Sequence, residues 1–243
     1  MKTIAVFALK GGVGKSTLAV NLAHALAASG GRRTLLWDLD AQGGASFLLG
    51  AGDDRAGRPA RKLLAGDADL LAASVPTLAP NLRLLAADKS LRRLEVQLAE
   101  DAGPRALRKL IAGLAGEIDR VVLDCPPGFT QVAEQAFRAA DLIVEPLVPA
   151  PLSERTHAAL IEHLLKHHDA RPKVLPVFSM VDRRRALHRA ALDAHPERLV
   201  LPYASAVERM AAERRPLAMF DARSPAASAF VGLAAEVERQ LIA

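Results

Sequence analysis

The sequence contains one cysteine, Cys125, in 243 residues. No intramolecular disulfide can form, and one chain cannot supply a four-thiolate metal or iron–sulfur site. That usage fits a reducing cytoplasm. Long apolar runs are also missing. Met1-Lys2-Thr3 leads into Ile4-Ala5-Val6-Phe7-Ala8-Leu9, and Lys10 stops the run far short of the roughly 20 residues a membrane helix needs. A signal peptide is not expected, on the same ground. Nor does charge of one sign dominate: Lys plus Arg number 32 against 27 Asp plus Glu, a formal +5. This permits an anionic partner without identifying one. Internal repeats and a low-complexity tail are absent as well.

What is present is 51% hydrophobic residues in a chain long enough for one sizeable core, so a single domain over 1–243 is expected. Short runs rich in Val, Ile and Leu alternate with segments of helical period, the pattern of an α/β fold whose mostly parallel sheet is covered on both faces. Strands are predicted over 3–9, 34–39, 82–86, 120–123, 142–146, 174–179 and 199–201. Helices are predicted over 16–28, 90–99, 104–114, 131–139, 153–167 and 225–242. Gly30 and Gly31 suit the end of the first helix, and residues 50–59 read as a surface loop.

The chemistry is carried by three pieces. The first is Lys10-Gly11-Gly12-Val13-Gly14-Lys15-Ser16-Thr17, between a predicted strand and a predicted helix. Backbone N–H groups and a helix N-terminus converge there into an anion site. Gly11, Gly12 and Gly14 let backbone approach a phosphate. Lys15 is placed to reach β- and γ-phosphates, Ser16 to put its hydroxyl on Mg²⁺, and Thr17 to donate to the α-phosphate. The usual first glycine of this loop is replaced by Leu9, with Lys10 beside it, so the loop is a variant.

The second piece, Asp38-Leu39-Asp40-Ala41-Gln42-Gly43-Gly44, ends a predicted strand where open α/β sheets bind ligands. Asp38 is assigned to the hydrated Mg²⁺ shell and Asp40 to orienting the attacking water, its ordinary pKa of about 3.9 making it a weak base. The bland alternative is that both cap a turn. The third piece is Arg120-Val121-Val122-Leu123-Asp124-Cys125-Pro126-Pro127, an apolar strand ending in an acid, with Asp124 expected to bind Mg²⁺ through water. Such strands are often purely structural, but the order of the three pieces favours function.

Together these motifs resemble the ParA and MinD family of deviant Walker A ATPases, over nearly the whole chain. The resemblance implies ATP and Mg²⁺ as cofactors, and a homodimer in which Lys10 crosses to the partner's phosphates and offsets their mutual repulsion. Phe178-Ser179-Met180-Val181-Asp182 and Leu201-Pro202 resemble the segments beside adenine, which implies contacts from Met180 and Pro202. Pro216-Leu217 and Phe220-Asp221-Ala222-Arg223-Ser224 fit the same C-terminal pattern and favour the ParA branch. The chain starts at its first strand, so the N-terminal helix-turn-helix of larger relatives is not expected.

The resemblance further implies binding to nonspecific double-stranded DNA on the nucleoid and hydrolysis stimulated by a ParB-like or cargo-adaptor protein. Some relatives carry DNA-touching arginines where Tyr203 and Ala206 stand here. Arg183, Arg184, Arg185 and Arg189, with Arg209, Arg214 and Arg215, are the substitutes, acting on phosphates rather than bases; the alternative is a solvated face.

Two other function classes remain. A MinD-like membrane switch would need a basic amphipathic tail, and the closing residues 234–243 are as acidic as basic and lack aromatics. A metabolic phosphotransferase would need an acceptor site that the sequence does not display. His163 and His167 lie one helical turn apart with no third ligand evident, so no metal site is expected there. Cys125 is expected to pack in the core.

Overall fold

The computed structural model describes residues 1–51, 70–87, 103, 105–169 and 171–242. The helix expected over 90–99 and most of the loop expected over 50–59 lie outside the described residues.

Among the described residues, one eight-stranded sheet organises the chain. In chain order its strands are β1 (Lys2–Val6), β2 (Thr34–Asp38), β3 (Val75–Pro76), β4 (Leu82–Leu85), β5 (Arg120–Asp124), β6 (Leu142–Leu147), β7 (Lys173–Val181) and β8 (Leu199–Pro202). Their spatial order is β3-β4-β2-β5-β1-β6-β7-β8, with every pairing parallel except β3 with β4. The expected α/β class and mostly parallel sheet are therefore present, and the two-residue β3 is an addition.

Each central strand is buried along nearly its full length, because alternate residues feed separate cores on the two faces. Ile4, Val6, Leu36 and Val122 pack with the first helix, α1 (Lys15–Ala28), and with the closing helix Pro225–Ile242. Ala5, Phe7, Leu35, Trp37, Val121 and Leu123 pack with helices Ala106–Ala112, Gln131–Ala139 and Pro151–His167 on the other face.

Two helices coincide with expectation end to end, Gln131–Ala139 and Pro225–Ile242. The first begins where Thr130 accepts a hydrogen bond from the Ala133 amide. Gly31 adopts a positive φ of 60° after α1, as its position suggested. β1 stops at Val6 rather than at residue 9, because the chain turns out of the sheet to build the glycine loop. The Phe7 amide still reaches the Val144 carbonyl at 3.1 Å, so the loop leaves from a fixed stem.

Short helices that the sequence reading passed over are α2 (Gly44–Leu48), Leu70–Ala73, Ala186–Ala194, Ser205–Glu213 and the 3₁₀ turn Leu217–Met219.

Candidate functional site

The three motifs meet at the C-terminal edge of the sheet. β2, β5 and β1 lie side by side, and Asp38, Asp124 and Val6 are register partners across them. Asp38 and Asp124 therefore leave their strands on the same face, the one covered by α1.

The glycine loop connects β1 to α1. Gly12 and Gly14 hold φ values of 76° and 87°, which side chains resist. Gly14 is the N-cap of α1, with no side-chain cap and no acid in the first turn. The first amides of the helix are thus left for an anion. A Cβ on Gly14 would lie 3.2 Å from the Ser179 hydroxyl, so the end of β7 closes against the loop. No local sequence pattern connects Ser179 to that loop.

The two lysines diverge. Lys15 is 7% exposed, whereas Lys10 is exposed at the mouth of the loop. Ser16 lies against α2, where a Cβ on Gly44 would come within 2.6 Å of its hydroxyl. Only glycine fits that close approach. Val13 is buried, Thr17 half-buried and Gly11 exposed.

Both strand-end aspartates are fully buried, yet their surroundings differ. Asp38 Oδ2 accepts hydrogen bonds from the Ser46 amide (2.8 Å) and hydroxyl (2.7 Å), and Oδ1 accepts the Asp40 amide (3.2 Å). Burial still pushes its carboxyl up to about 6, against those three donors. Ser46 also accepts the Ala87 amide at 2.8 Å, which ties α2 to the end of β4.

Asp124 is held less well. Both of its oxygens are buried with no hydrogen-bond partner among the described residues. Burial first, and then the charge of Asp38, push its carboxyl well above the usual range, opposed by nearby Ser16 and Lys15. Ser16 exerts that pull without reaching full hydrogen-bond geometry.

Asp40 is half-buried, with Oδ1 accepting the Gln42 amide at 2.9 Å and its carbonyl accepting the Gly43 amide at 2.8 Å. Part of the turn-capping alternative therefore holds for Asp40, which leaves its second oxygen for other work.

The charges of Asp38 and Asp40 thus both act on Asp124, Lys15 is the buried cation that opposes them there, and two oxygens are desolvated with no partner among the described residues. That surplus of negative charge beside a serine hydroxyl fits a hard divalent cation. Ser16, Asp38 and Asp124 are the residues that would hold it. Cys125 is fully buried, and desolvation followed by the Asp124 charge pushes its thiol up, so it packs rather than reacts.

Met180 and Pro202 fall at the adjoining edge. Met180 is 39% exposed with φ at 56°, in a bulge where the β7–β8 register shifts between Phe178 and Val181. Pro202 pairs with Val181 and is half-buried.

The arginines divide into two groups. Arg183, Arg184, Arg185 and Arg189 are exposed around the start of helix Ala186–Ala194. Arg184 is paired with Asp182 at 2.9 Å, and Arg189 donates to the Arg183 and Arg184 carbonyls. Arg183 and Arg185 form no ion pair among the described residues. Arg214 and Arg215 are half-buried: Arg214 lies 3.8 Å over the Phe47 ring of α2, and Arg215 pairs with Glu213 at 2.7 Å. Arg209 is exposed, 3.6 Å from Glu213. Between the groups, Tyr203 is 46% exposed and donates to Glu208, while Ala206 is buried.

Asn21, nearly two turns into α1, reaches the C-terminal segment. Its carboxamide accepts the Leu217 amide at 2.9 Å and donates to the Thr17 carbonyl and Met210 sulfur. The phosphate helix and the Pro216-Leu217 motif are thereby joined.

Residues 1–175 match the family described as AAA domain. The chromosome partitioning protein ParA of Caulobacter vibrioides is 31% identical over 98% of this chain and 94% of its own length. The sporulation initiation inhibitor protein Soj of Bacillus subtilis is 27% identical over 97% and 98%. Among solved structures, the septum site-determining protein MinD of Pyrococcus horikoshii, complexed with Mg-ADP, superposes with a TM-score of 0.80 at 26% identity, covering 98% of this chain and 96% of the other. Cobyrinic acid a,c-diamide synthase of Mycobacterium smegmatis, with bound ATP analog and magnesium, also gives 0.80, at 27% identity over 98% and 95%. With its glycine loop, paired strand-end aspartates and outward Lys10 arranged on this sheet, the chain belongs to the ParA and MinD family of deviant Walker A P-loop ATPases.

Proposed function

We propose that this protein is a ParA-type ATP switch that positions plasmid, chromosomal or protein cargo. ATP closes a homodimer, the dimer holds nonspecific double-stranded DNA, and a ParB-like or adaptor protein stimulates hydrolysis to release it. The observation that carries this reading is the opposite placement of the two loop lysines, Lys15 buried and Lys10 exposed. A lysine needed only for its own nucleotide has no reason to point outward from the loop. A second chain's phosphates would give it one.

In this reading the amides of residues 11–17 and the Lys15 ammonium bind the phosphates, and Asp40 orients the attacking water. Mg²⁺ held near Ser16, Asp38 and Asp124 supplies neutralisation of phosphate charge. Lys10 adds a positive charge from across the dimer. Arg183 and Arg185, exposed and unpaired among the described residues, are the leading phosphate contacts for DNA. Arg184, Arg189, Arg209, Arg214 and Arg215 support them, with part of their charge already committed.

A membrane switch is disfavoured by the closing helix, whose Phe230, Leu233 and Val237 are buried in the core rather than free to insert. The likeness to the amide synthase favours, as a second reading, an ATP-dependent enzyme acting on a small molecule.

The test is an Asp40→Ala chain loaded with ATP, mixed with random duplex DNA and with anionic liposomes at several salt concentrations. DNA binding that falls steeply with salt is expected. Liposome binding without DNA binding would overturn the proposal in favour of a membrane switch, and binding to neither would favour the small-molecule enzyme.

A further inference from the structure

We propose that Glu134, His163 and His168 form a binding site for a zinc-class divalent transition-metal ion, separate from the phosphate site. One ligand atom from each of these residues lies within 4.8 Å of the other two. His163 Nε2 is 2.5 Å from Glu134 Oε1, and His168 Nε2 is 2.9 Å from Glu134 Oε2, so one carboxylate faces both rings.

Helical spacing hides this set. His163 and His167 are the pair that an i, i+4 reading selects, and their rings are 4.6 Å apart. In a continuing helix residue 168 would stand about 140° around the axis from residue 163. The helix ends at His167, however, and His168 takes φ −133° and ψ 113°. That break turns the His168 imidazole back towards Glu134, on helix Gln131–Ala139. The His168 side chain is 1% exposed, with His163 at 18% and Glu134 at 17%.

Two imidazoles and one carboxylate match the ligand preference of zinc, cobalt and nickel, and three protein ligands leave one coordination position open. Tetrahedral bonds of about 2 Å place ligand atoms roughly 3.3 Å apart, so the two Glu134–histidine contacts need to spread by less than about 1 Å and the widest separation in the set, at most 4.8 Å, to close by no more than about 1.5 Å. Each ring must present a proton-free Nε2, which a neutral imidazole does by carrying its proton on Nδ1. The Arg138 guanidinium, 4.0 Å from Glu134 Oε2, is the adjacent cation, and its 35% exposed side chain can turn into solvent.

The place of the site gives it a consequence. His163 stacks on Phe129 at 3.8 Å, and Phe129 stacks on Phe7 at 6.0 Å. Phe129 belongs to the loop leaving Asp124, and Phe7 is the stem of the glycine loop. An ion here would clamp helices Gln131–Ala139 and Pro151–His167 directly behind the phosphate site. The inference is independent of the nucleotide reading.

The test uses the tag-free full chain in excess Mg²⁺, titrated with Zn²⁺ and Co²⁺ in competition with a chromophoric chelator. One equivalent should bind, at least tenfold more weakly in Glu134→Gln and His163→Ala, and unchanged in His167→Ala. Because removing the buried His168 endangers the fold, the near-isosteric Glu134→Gln carries the test, with circular dichroism confirming that it folds. Absence of stoichiometric binding, wild-type affinity in both ligand variants, or a loss in His167→Ala without one in Glu134→Gln would each overturn the proposal.

Discussion

Asp124 stands in register with Asp38 across β5 and β2, both fully buried, yet among the described residues Asp38 accepts three hydrogen bonds and Asp124 none. Such an arrangement destabilises the ligand-free fold and favours whatever cation relieves it. Asp124→Asn should therefore stabilise the nucleotide-free chain by roughly 1–3 kcal/mol in urea denaturation. The same variant should bind Mg-ATP at least tenfold more weakly in calorimetry. Unchanged or lower stability would show that the unpartnered carboxylate is not the strained element.

The two loop lysines should separate binding from assembly. Lys15→Ala should lose nucleotide, whereas Lys10→Ala should keep it and remain monomeric with ATP, read by light scattering. Equal loss of nucleotide in both variants would remove the cross-subunit role given to Lys10.

Met180 holds a left-handed conformation that costs a side-chain-bearing residue about 1–2 kcal/mol. Met180→Gly should raise the melting temperature by relieving it. If the methionine covers adenine, affinity for ATP should fall at the same time while inorganic triphosphate binding stays constant. A stability gain with unaltered ATP affinity would leave Met180 out of the nucleotide site.

Arg120 donates to both oxygens of Glu238, at 2.7 and 2.6 Å, fastening the closing helix to β5. This hydrogen bonding holds the Glu238 carboxyl below its ordinary range, so the pair stabilises the fold above a pH of about 4.3, and the contribution fades as pH falls through the depressed folded value. Glu238→Gln should cost roughly 1–3 kcal/mol near neutrality. In denaturation series at stepped pH, the gap from wild type should close under acid, and a gap independent of pH would refute the ionic origin.

Much of this architecture is legible from local sequence. The parallel strands announce themselves as apolar runs because both faces are buried, and helix Gln131–Ala139 carries its own start signal in Thr130. The glycine loop is readable because phosphate binding demands a fixed spacing. Ser46 was missed because its contact with Asp38 exists only after the turn at residues 40–43 reverses the chain into α2. His168 was missed for a related reason: the helix expected over 153–167 ends just before it, as observed, but no local pattern says that the residue beyond that end turns back to Glu134 on another helix. Ser179 touches Gly14 through the sheet, over a separation that no local pattern spans.

β1 carries the phosphate loop, but it is an inner strand whose two neighbours, β5 and β6, begin at Arg120 and Leu142. A ribosome makes β1 first and its supports more than a hundred residues later. Until Asp124 has emerged, the loop hangs from a strand with both edges open, and one edge stays open until β6 follows, so nascent chains must carry exposed edges through much of synthesis. The nucleotide site is therefore written early in the chain and assembled late.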